Sequence, residues 1–142
     1  MRNDEDRWEF LNDLDDELLK GGVILSEWCS FIVREADLAF VAGAHLAVII
    51  TAMAGIETYL RSEYGSREER LHQLIERSPL DSRLKHDINA VRKYRNKWVH
   101  VSEPWYDRDL LDDPEKYDRG LESMAKTAVR VLRRTIYENQ WI

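Results

Sequence analysis

The 142-residue sequence contains little of the cysteine, proline and glycine that are typical of disulfide-rich, fibrous or low-complexity proteins. Its single cysteine, Cys29, excludes a disulfide framework and a multi-cysteine zinc site, and an apolar setting predicts a reduced structural thiol. Three prolines and six glycines exclude a collagen-like chain and a Pro-rich linker. The chain does not open with a basic segment and an apolar core, so we expect no secretory signal and a cytoplasmic protein. Its length predicts a single domain over residues 1–142.

Long apolar runs are also scarce, and residues 39–56 are the one segment that could be mistaken for a membrane span. Only His45 and Thr51 are polar among these 18 residues. Eight of the 18 are Ala or Gly, however, and the pattern continues without a break into charged residues. We therefore expect no membrane association, but a central helix that Asp37 caps, that ends at Gly65 and that other helices surround.

Apolar residues recur at helical spacing along most of the chain, and there is no long alternating run typical of a strand. The sequence therefore predicts an all-α bundle of about five helices. Besides the central helix, the predicted segments are an acidic N-terminal helix ended by Gly21 and Gly22, a helix at 23–36, a short helix after a capping box of Ser66 and Glu69, a helix at 81–100 capped by Asp81, an acidic loop at 103–118 and an amphipathic helix at 121–136. We expect Trp28, Trp98 and Trp141 to be packing residues.

The net charge of −6 is unevenly distributed. Residues 1–19 carry a charge of −6, with eight acids and two bases, and solvated helix faces are the simplest explanation for such blocks. Residues 83–97 carry six bases and one acid, and residues 103–118 carry seven acids and two bases. One basic patch could therefore hold a polyanion, although the net charge does not indicate long-range attraction of the whole chain to bulk nucleic acid.

Helical geometry places Arg95 in the middle of the apolar stripe formed by Leu84, Ile88 and Val91. A guanidinium directed at an apolar interior needs a carboxylate or a bound anion. Glu57 is likewise a charged residue on an otherwise apolar helix face, and its charge is opposite to that of Arg95. We therefore expect Glu57 and Arg95 to lie within reach of each other. The angles fit a purely structural buried pair equally well.

The string Arg95-Asn96-Lys97-Trp98-Val99-His100 resembles the signature of the HEPN superfamily, in which an Arg, often followed by Asn, precedes a His by a few residues. The segment from Ala54 to Leu60, an apolar helix with one Glu, is similar to an earlier helix of that family. The similarity extends from about residue 23 to 136, but only the Arg-Asn-x3-His motif is specific.

The resemblance implies a metal-independent endoribonuclease with no cofactor, in which motifs of two protomers line one cleft. It implies that His100 handles the proton of the ribose 2′-OH or of the leaving oxygen, and that Arg95 holds the scissile phosphate. Asn96 would orient the phosphate or His100, and Glu57 would brace Arg95. Histidine exchanges protons near neutral pH and arginine offers a fork to phosphate oxygens, so the residue types suit this chemistry.

We expect RNA contacts from neighbouring basic and aromatic residues: Arg92, Lys93, Lys97, Trp105 and Tyr106. The two aromatic residues are at least as well explained as a cover for the bundle end or a dimer seam. The expected partners are a second copy of the chain, RNA and an antitoxin or regulatory protein, as in a toxin–antitoxin or phage-defence system. Some family toxins carry a modifiable Tyr two residues after the His, but Ser102 stands there in this chain.

Two alternatives remain open. The chain could be a non-catalytic HEPN-like module that dimerises through the small residues of 39–56 and the last helix and binds a protein or nucleotide, or it could be an unrelated bundle. We expect no metal site, because no His-x3-His or Cys/His cluster is present. Of the other histidines, His45 is expected in the core or an interface, and His72 and His86 in solvent.

Overall fold

The computed structural model of the chain describes residues 3–65 and 68–142. Within this part of the chain the backbone forms seven α-helices and no strand, which confirms the all-α class but not the expected count of about five. The helices are α1 (Asp4–Leu18), α2 (Glu27–Val41), α3 (His45–Tyr64), α4 (Leu71–Arg77), α5 (Ser82–Val99), α6 (Arg108–Asp112) and α7 (Pro114–Ile136). Ser66 of the expected capping box lies outside the described residues, and Arg70 precedes α4 with its N–H bonded to Gln73.

Helix α3 lies at the centre, packed most extensively against α7 and α2. Small residues permit this close approach: a Cβ on Gly55 would lie 3.1 Å from the Cδ1 atom of Leu132 in α7. Ala52, Ile56 and Ala128 are fully buried in the same layer. Of the small residues of 39–56, Ala52 and Gly55 are thus used in packing within the chain, whereas Ala42, Ala44, Ala47 and Ala54 are exposed.

The expected boundary of the central helix is wrong at its N-terminal side. Helix α2 continues through Asp37 to Val41, and the chain then turns at Gly43, whose φ of 75° lies in the left-handed region that glycine tolerates. Helix α3 begins only at His45 and ends before Gly65, as expected. Among the helices of the described residues, none has the length and apolar character needed to cross a membrane.

Asp37 is used for a buried ion pair instead of a helix cap. The guanidinium of Arg133, which is only 2% exposed, donates to both carboxylate oxygens of Asp37 at 3.0 and 2.8 Å and to Asp15 at 2.9 Å. The hydroxyl of Tyr137 donates a further bond to Asp15 at 2.7 Å. This network joins three helices, because Asp15 is in α1, Asp37 is in α2 and Arg133 is in α7, which Tyr137 directly follows.

The acidic helix α1 packs on the bundle with buried Leu11 and Leu14. Asn3 caps it by accepting a bond from the N–H of Asp6, and Glu17 pairs with Arg130 of α7. Within the described residues, helix α1 packs against α2 and α7 and not along α5. Only the ends of α1 and α5 approach each other, where Leu18 and Leu84 line one depression.

The structure also corrects the predictions for the segment 103–118 and for Trp28. The segment 103–118 is not all loop, since it contains α6 and the first turn of α7, which Asp113 caps by accepting from the N–H of Lys116. Trp28 is 78% exposed and packs on nothing in the core, because it lies on the outward side of α2. Cys29, by contrast, is buried as expected, and burial raises the pKa of its thiol.

Candidate functional site

The Arg-Asn-x3-His motif lies at the C-terminal end of α5. Asp81 caps the beginning of this helix by accepting a bond from the N–H of Leu84 at 2.9 Å, as the sequence predicts. Leu84, Ile88 and Val91 are buried and anchor the first two thirds of the helix against the bundle. The last turns, from Arg92 onward, have no fully buried residue, so the motif lies where the helix leaves the core.

Arg95 and Asn96 form a hydrogen-bonded pair of neighbouring side chains. Both Nε and Nη2 of Arg95 donate to the amide oxygen of Asn96, at 3.2 and 2.7 Å. Both residues are partly buried, so Arg95 is neither inside the core nor extended into solvent. The pair fixes the plane of the guanidinium and leaves its remaining N–H groups available to an anion.

The expected contact between Glu57 and Arg95 is absent. Among the described residues, no hydrogen bond or ion pair joins them, and Glu57 instead accepts from Nε and Nη2 of Arg61 at 2.9 and 2.8 Å. Arg61 lies one turn further along the same helix, where such i, i+4 pairs form easily. Glu57 therefore braces its own helix and does not brace the motif.

His100 ends α5 and is exposed to solvent. Its backbone N–H still donates to the carbonyl of Asn96 at 3.0 Å, but its φ of −128° and ψ of 62° take the chain out of the helix. In the described residues its imidazole has no hydrogen-bond partner. The ring is therefore free to meet a ligand or a second copy of the chain.

The basic residues near the motif follow one another around α5. Helical geometry places Lys93 next to Asn96 and Arg92; Arg92 donates to the side chain of Asn89 at 3.0 Å and Lys93 is exposed. Lys97 lies one turn beyond Lys93 on the same side of the helix, and its Nζ is 5.3 Å from the centre of the Tyr94 ring. The only acid of the segment 83–97, Asp87, is neutralised by Arg134 of α7 at 2.6 Å.

A cavity of about 520 Å³ lies on the Lys97 side, between the end of α5, α6 and the beginning of α7. Its aromatic walls include Trp98 and Tyr117, whose rings meet edge to face at 6.1 Å. The polar part of its lining combines lysines and acids: Lys97, Lys116, Glu103, Asp107 and Asp109. Tyr94, Lys116 and Tyr117 are not among the residues predicted from the sequence; the i, i+4 spacing of Tyr94 and Trp98 was the signal that indicated an aromatic wall.

Trp105 and Tyr106, in the segment after the motif, are 88% and 85% exposed. They border a second, shallower depression of about 640 Å³ that α6 completes. Aromatic side chains with this exposure can stack on a base, and they do not cover the end of this single chain.

Other candidates for chemistry are limited. Within residues 3–65 and 68–142, no group of three or more His, Cys, Asp and Glu side chains is placed to hold a metal ion. His45 begins α3 with a buried Nδ1 atom that lacks a hydrogen-bond partner, whereas His72 and His86 are exposed. Comparison with protein-family models, curated proteins and solved structures finds no match to this chain.

Proposed function

We propose that the chain is a metal-independent endoribonuclease of the HEPN type that acts as a homodimer. The observation that supports it most is the placement of the motif: the Arg95–Asn96 pair lies immediately before an exposed His100 at the free end of α5. The exposed Lys93 and Trp105 nearby suit a phosphate backbone and a base. A cytoplasmic toxin or phage-defence effector is the role that fits such an activity.

In the proposed reaction, His100 of one copy accepts the proton of a ribose 2′-OH while the 2′-oxygen attacks the adjacent phosphorus. The bond from phosphorus to the 5′-oxygen breaks, and His100 of a second copy gives that oxygen a proton. The products are a 2′,3′-cyclic phosphate and a 5′-hydroxyl end. Because the 2′-OH of RNA supplies the nucleophile, the reaction requires no metal-activated water.

Arg95 holds the phosphate in this proposal. Two of its nitrogens are already oriented by Asn96, which leaves Nη1 to contact a phosphate oxygen as negative charge develops in the transition state. Asn96 is thus a positioning residue. Glu57 has no part in the reaction, since its carboxylate is occupied by Arg61.

RNA cleavage in EDTA by the purified chain tests the proposal. We expect the wild type to release fragments with 2′,3′-cyclic phosphate ends and to leave an all-deoxy substrate intact. His100→Ala should lower the cleavage rate at least about 100-fold, as removal of a general acid–base group does. Arg95→Ala should lower it by a similar factor, as removal of a group that stabilises transition-state charge does. His86→Ala, which changes an exposed histidine at the other end of the same helix, should cleave like the wild type.

Equal activity in the wild type and His100→Ala would overturn the proposal, as would no cleavage of any RNA. The proposed reaction also requires a dimer, because one imidazole cannot act as base and acid in one concerted step. Cross-linking between cysteines introduced at Ser102 of two copies should succeed, since the two His100 rings must lie within about 10 Å of each other.

The cavity beside α5 favours a second candidate, a module that binds a nucleotide without cleaving RNA. Its aromatic walls and lysines suit a base and a phosphate, and His100 and Arg95 are not among its lining residues. In that case a nucleoside monophosphate should quench tryptophan fluorescence in the wild type and in His100→Ala alike, with the response lost in Trp98→Ala.

A further inference from the structure

The outward side of α2 carries an apolar stripe with no partner in the described residues. Trp28, Phe31 and Leu38 are 78%, 56% and 40% exposed and follow one another at helical spacings of three and seven. The exposed Glu35 lies on the same side between Phe31 and Leu38, so the continuous apolar part of the stripe is Trp28 and Phe31. The opposite side of the same helix carries the buried residues Cys29 and Phe40. Large aromatic residues that cluster on one exposed helix side mark an interaction surface.

Charged residues flank this stripe in a self-complementary order. Glu27 and Arg34 are exposed, lie seven residues apart on one border of the stripe, and form no ion pair within the part of the chain described. The guanidinium of Arg34 lies 5.7 Å from the centre of the Phe31 ring. A partner with a base opposite Glu27 and an acid opposite Arg34 would match both charges, and an antiparallel copy of α2 has this arrangement.

We infer that two copies of the chain associate through antiparallel α2 helices, related by a twofold axis that crosses the outward side of α2 midway between Trp28 and Phe31. In this arrangement Trp28 of each copy packs on Phe31 of the other. Glu27 then lies beside Arg34 of the second copy, displaced by about 3 Å along the helix axis, which a long arginine side chain spans. A parallel pairing would oppose like charges, so the charges also select the direction.

This interface is separate from the proposed ribonuclease site. Helix α2 contacts α1, α3 and α7, and within the described residues it has no contact with α5. Association through α2 therefore does not bring two His100 rings together and does not depend on RNA cleavage. A chain that also pairs through the motif end would form tetramers or longer assemblies by combining the two contacts.

Charge reversal tests the inference directly by sedimentation and light scattering of the full chain. Glu27→Arg and Arg34→Glu each turn two attractive contacts of the dimer into two repulsive ones, so each should raise the dissociation constant at least about tenfold. The double variant Glu27→Arg/Arg34→Glu restores opposite charges and should dimerise like the wild type. Glu76→Arg, an exposed reversal on α4, is the matched control and should change nothing.

Mixing the two single variants gives the sharpest result. Glu27→Arg has bases at both positions and Arg34→Glu has acids at both, so each fails to pair with itself but the two should pair with each other. Native mass spectrometry should detect assemblies that contain both variants and are larger than those that either variant forms alone. Far-ultraviolet circular dichroism checks that every variant is folded. A wild type that stays monomeric to on the order of 100 µM, an assembly that both reversals leave unchanged, or a mixture with no assembly larger than those of the single variants would overturn the inference.

Discussion

The buried guanidinium of Arg133 is the clearest case in which one residue connects distant parts of the chain. Burial alone lowers the pKa of an arginine, but the hydrogen bonds and charge of Asp37, with the charge of Asp15, outweigh it and leave the pKa of Arg133 raised. The arginine therefore stays charged. A buried pair of this kind contributes little compared with apolar packing, yet it is costly to break, because one charge is then left alone.

Replacing Arg133 should destabilise the fold severely. Arg133→Met leaves Asp37 buried without its cation, and we expect a loss of about 3–5 kcal/mol in the free energy of unfolding. Arg133→Lys should recover only part of it, since an ammonium cannot match the two-pronged bond. Arg130→Met, which removes an exposed pair with Glu17, should cost far less in the same urea titration, because solvent screens an exposed ion pair. Similar losses for Arg130→Met and Arg133→Met would contradict this account.

The tyrosines around Glu138 predict a loss of stability at alkaline pH. The hydroxyl groups of Tyr59 and Tyr64 both donate to Glu138, and burial, together with this carboxylate, raises the pKa of Tyr64 to about 12. The folded chain thus holds a proton that the unfolded chain releases near pH 10, so the stabilisation is complete below pH 10 and is lost as pH rises toward 12.

Glu138→Gln tests this pH dependence, because it removes the negative charge beside both phenols. We expect phenolate absorbance to develop at lower pH in the variant, with a shallower fall in stability between pH 10 and 12. Glu76→Gln changes an exposed carboxylate of α4 and should reproduce the wild-type titration. An unchanged phenolate titration in Glu138→Gln would show that the carboxylate does not hold these protons.

At the scale of helices, local signals were sufficient for α1 and α5 but not for the junction of α2 and α3. Asp81 begins α5 where its capping chemistry predicts, and Gly65 follows α3 as expected. Asp37 has the same capping chemistry, but its carboxylate is taken by Arg133, 96 residues away. Only the folded chain brings those residues together, so the capping signal of Asp37 was misleading, and Gly43 was the local signal that marked the true boundary.

The side-chain contacts of the candidate site were also predictable only in part. Adjacent residues such as Arg95 and Asn96 meet because the helix places them together. The expected pair of Glu57 and Arg95 required a contact between two helices, and Arg61, one turn away on α3, was the nearer partner for Glu57. The exposure of Trp28 also escaped prediction, since helical periodicity does not say which apolar side meets the core.

Two glycines within helices should respond in opposite directions to alanine. A Cβ at Gly55 meets Leu132 at 3.1 Å and Ile32 at 3.5 Å, so Gly55→Ala overpacks the contact of α3 with α7 and should cost about 1–3 kcal/mol. At Gly120 the new Cβ meets only the hydroxyl end of Tyr94 at 3.2 Å. Gly120→Ala should therefore gain up to about 1 kcal/mol of helix propensity. Thermal unfolding of both variants is the measurement, and stabilisation by Gly55→Ala would contradict the packing described.

At the scale of the whole molecule, the negative charge lies in two blocks with different positions. The block on α1 packs on α2 and α7, whereas residues 103–118 adjoin the end of α5. Charges farther apart than about 10 Å are largely screened at 0.1 M salt. We expect the block on α1 to act on the end of α5 more weakly than residues 103–118, which directly follow it, so an acidic net charge is compatible with a basic, anion-binding surface there.

Neutralising the two blocks separately should have unequal effects on RNA binding. Asp107 and Asp109 line the cavity that also contains Lys97, so Asp107→Asn/Asp109→Asn should tighten the binding of a short RNA several-fold at 0.1 M salt. Asp13→Asn/Asp16→Asn removes the same charge from exposed positions of α1 and should change the affinity less than about twofold. Fluorescence anisotropy with His100→Ala as the common background measures binding without cleavage. Equal gains from both double variants would show that net charge, and not the position of the acids, limits RNA binding.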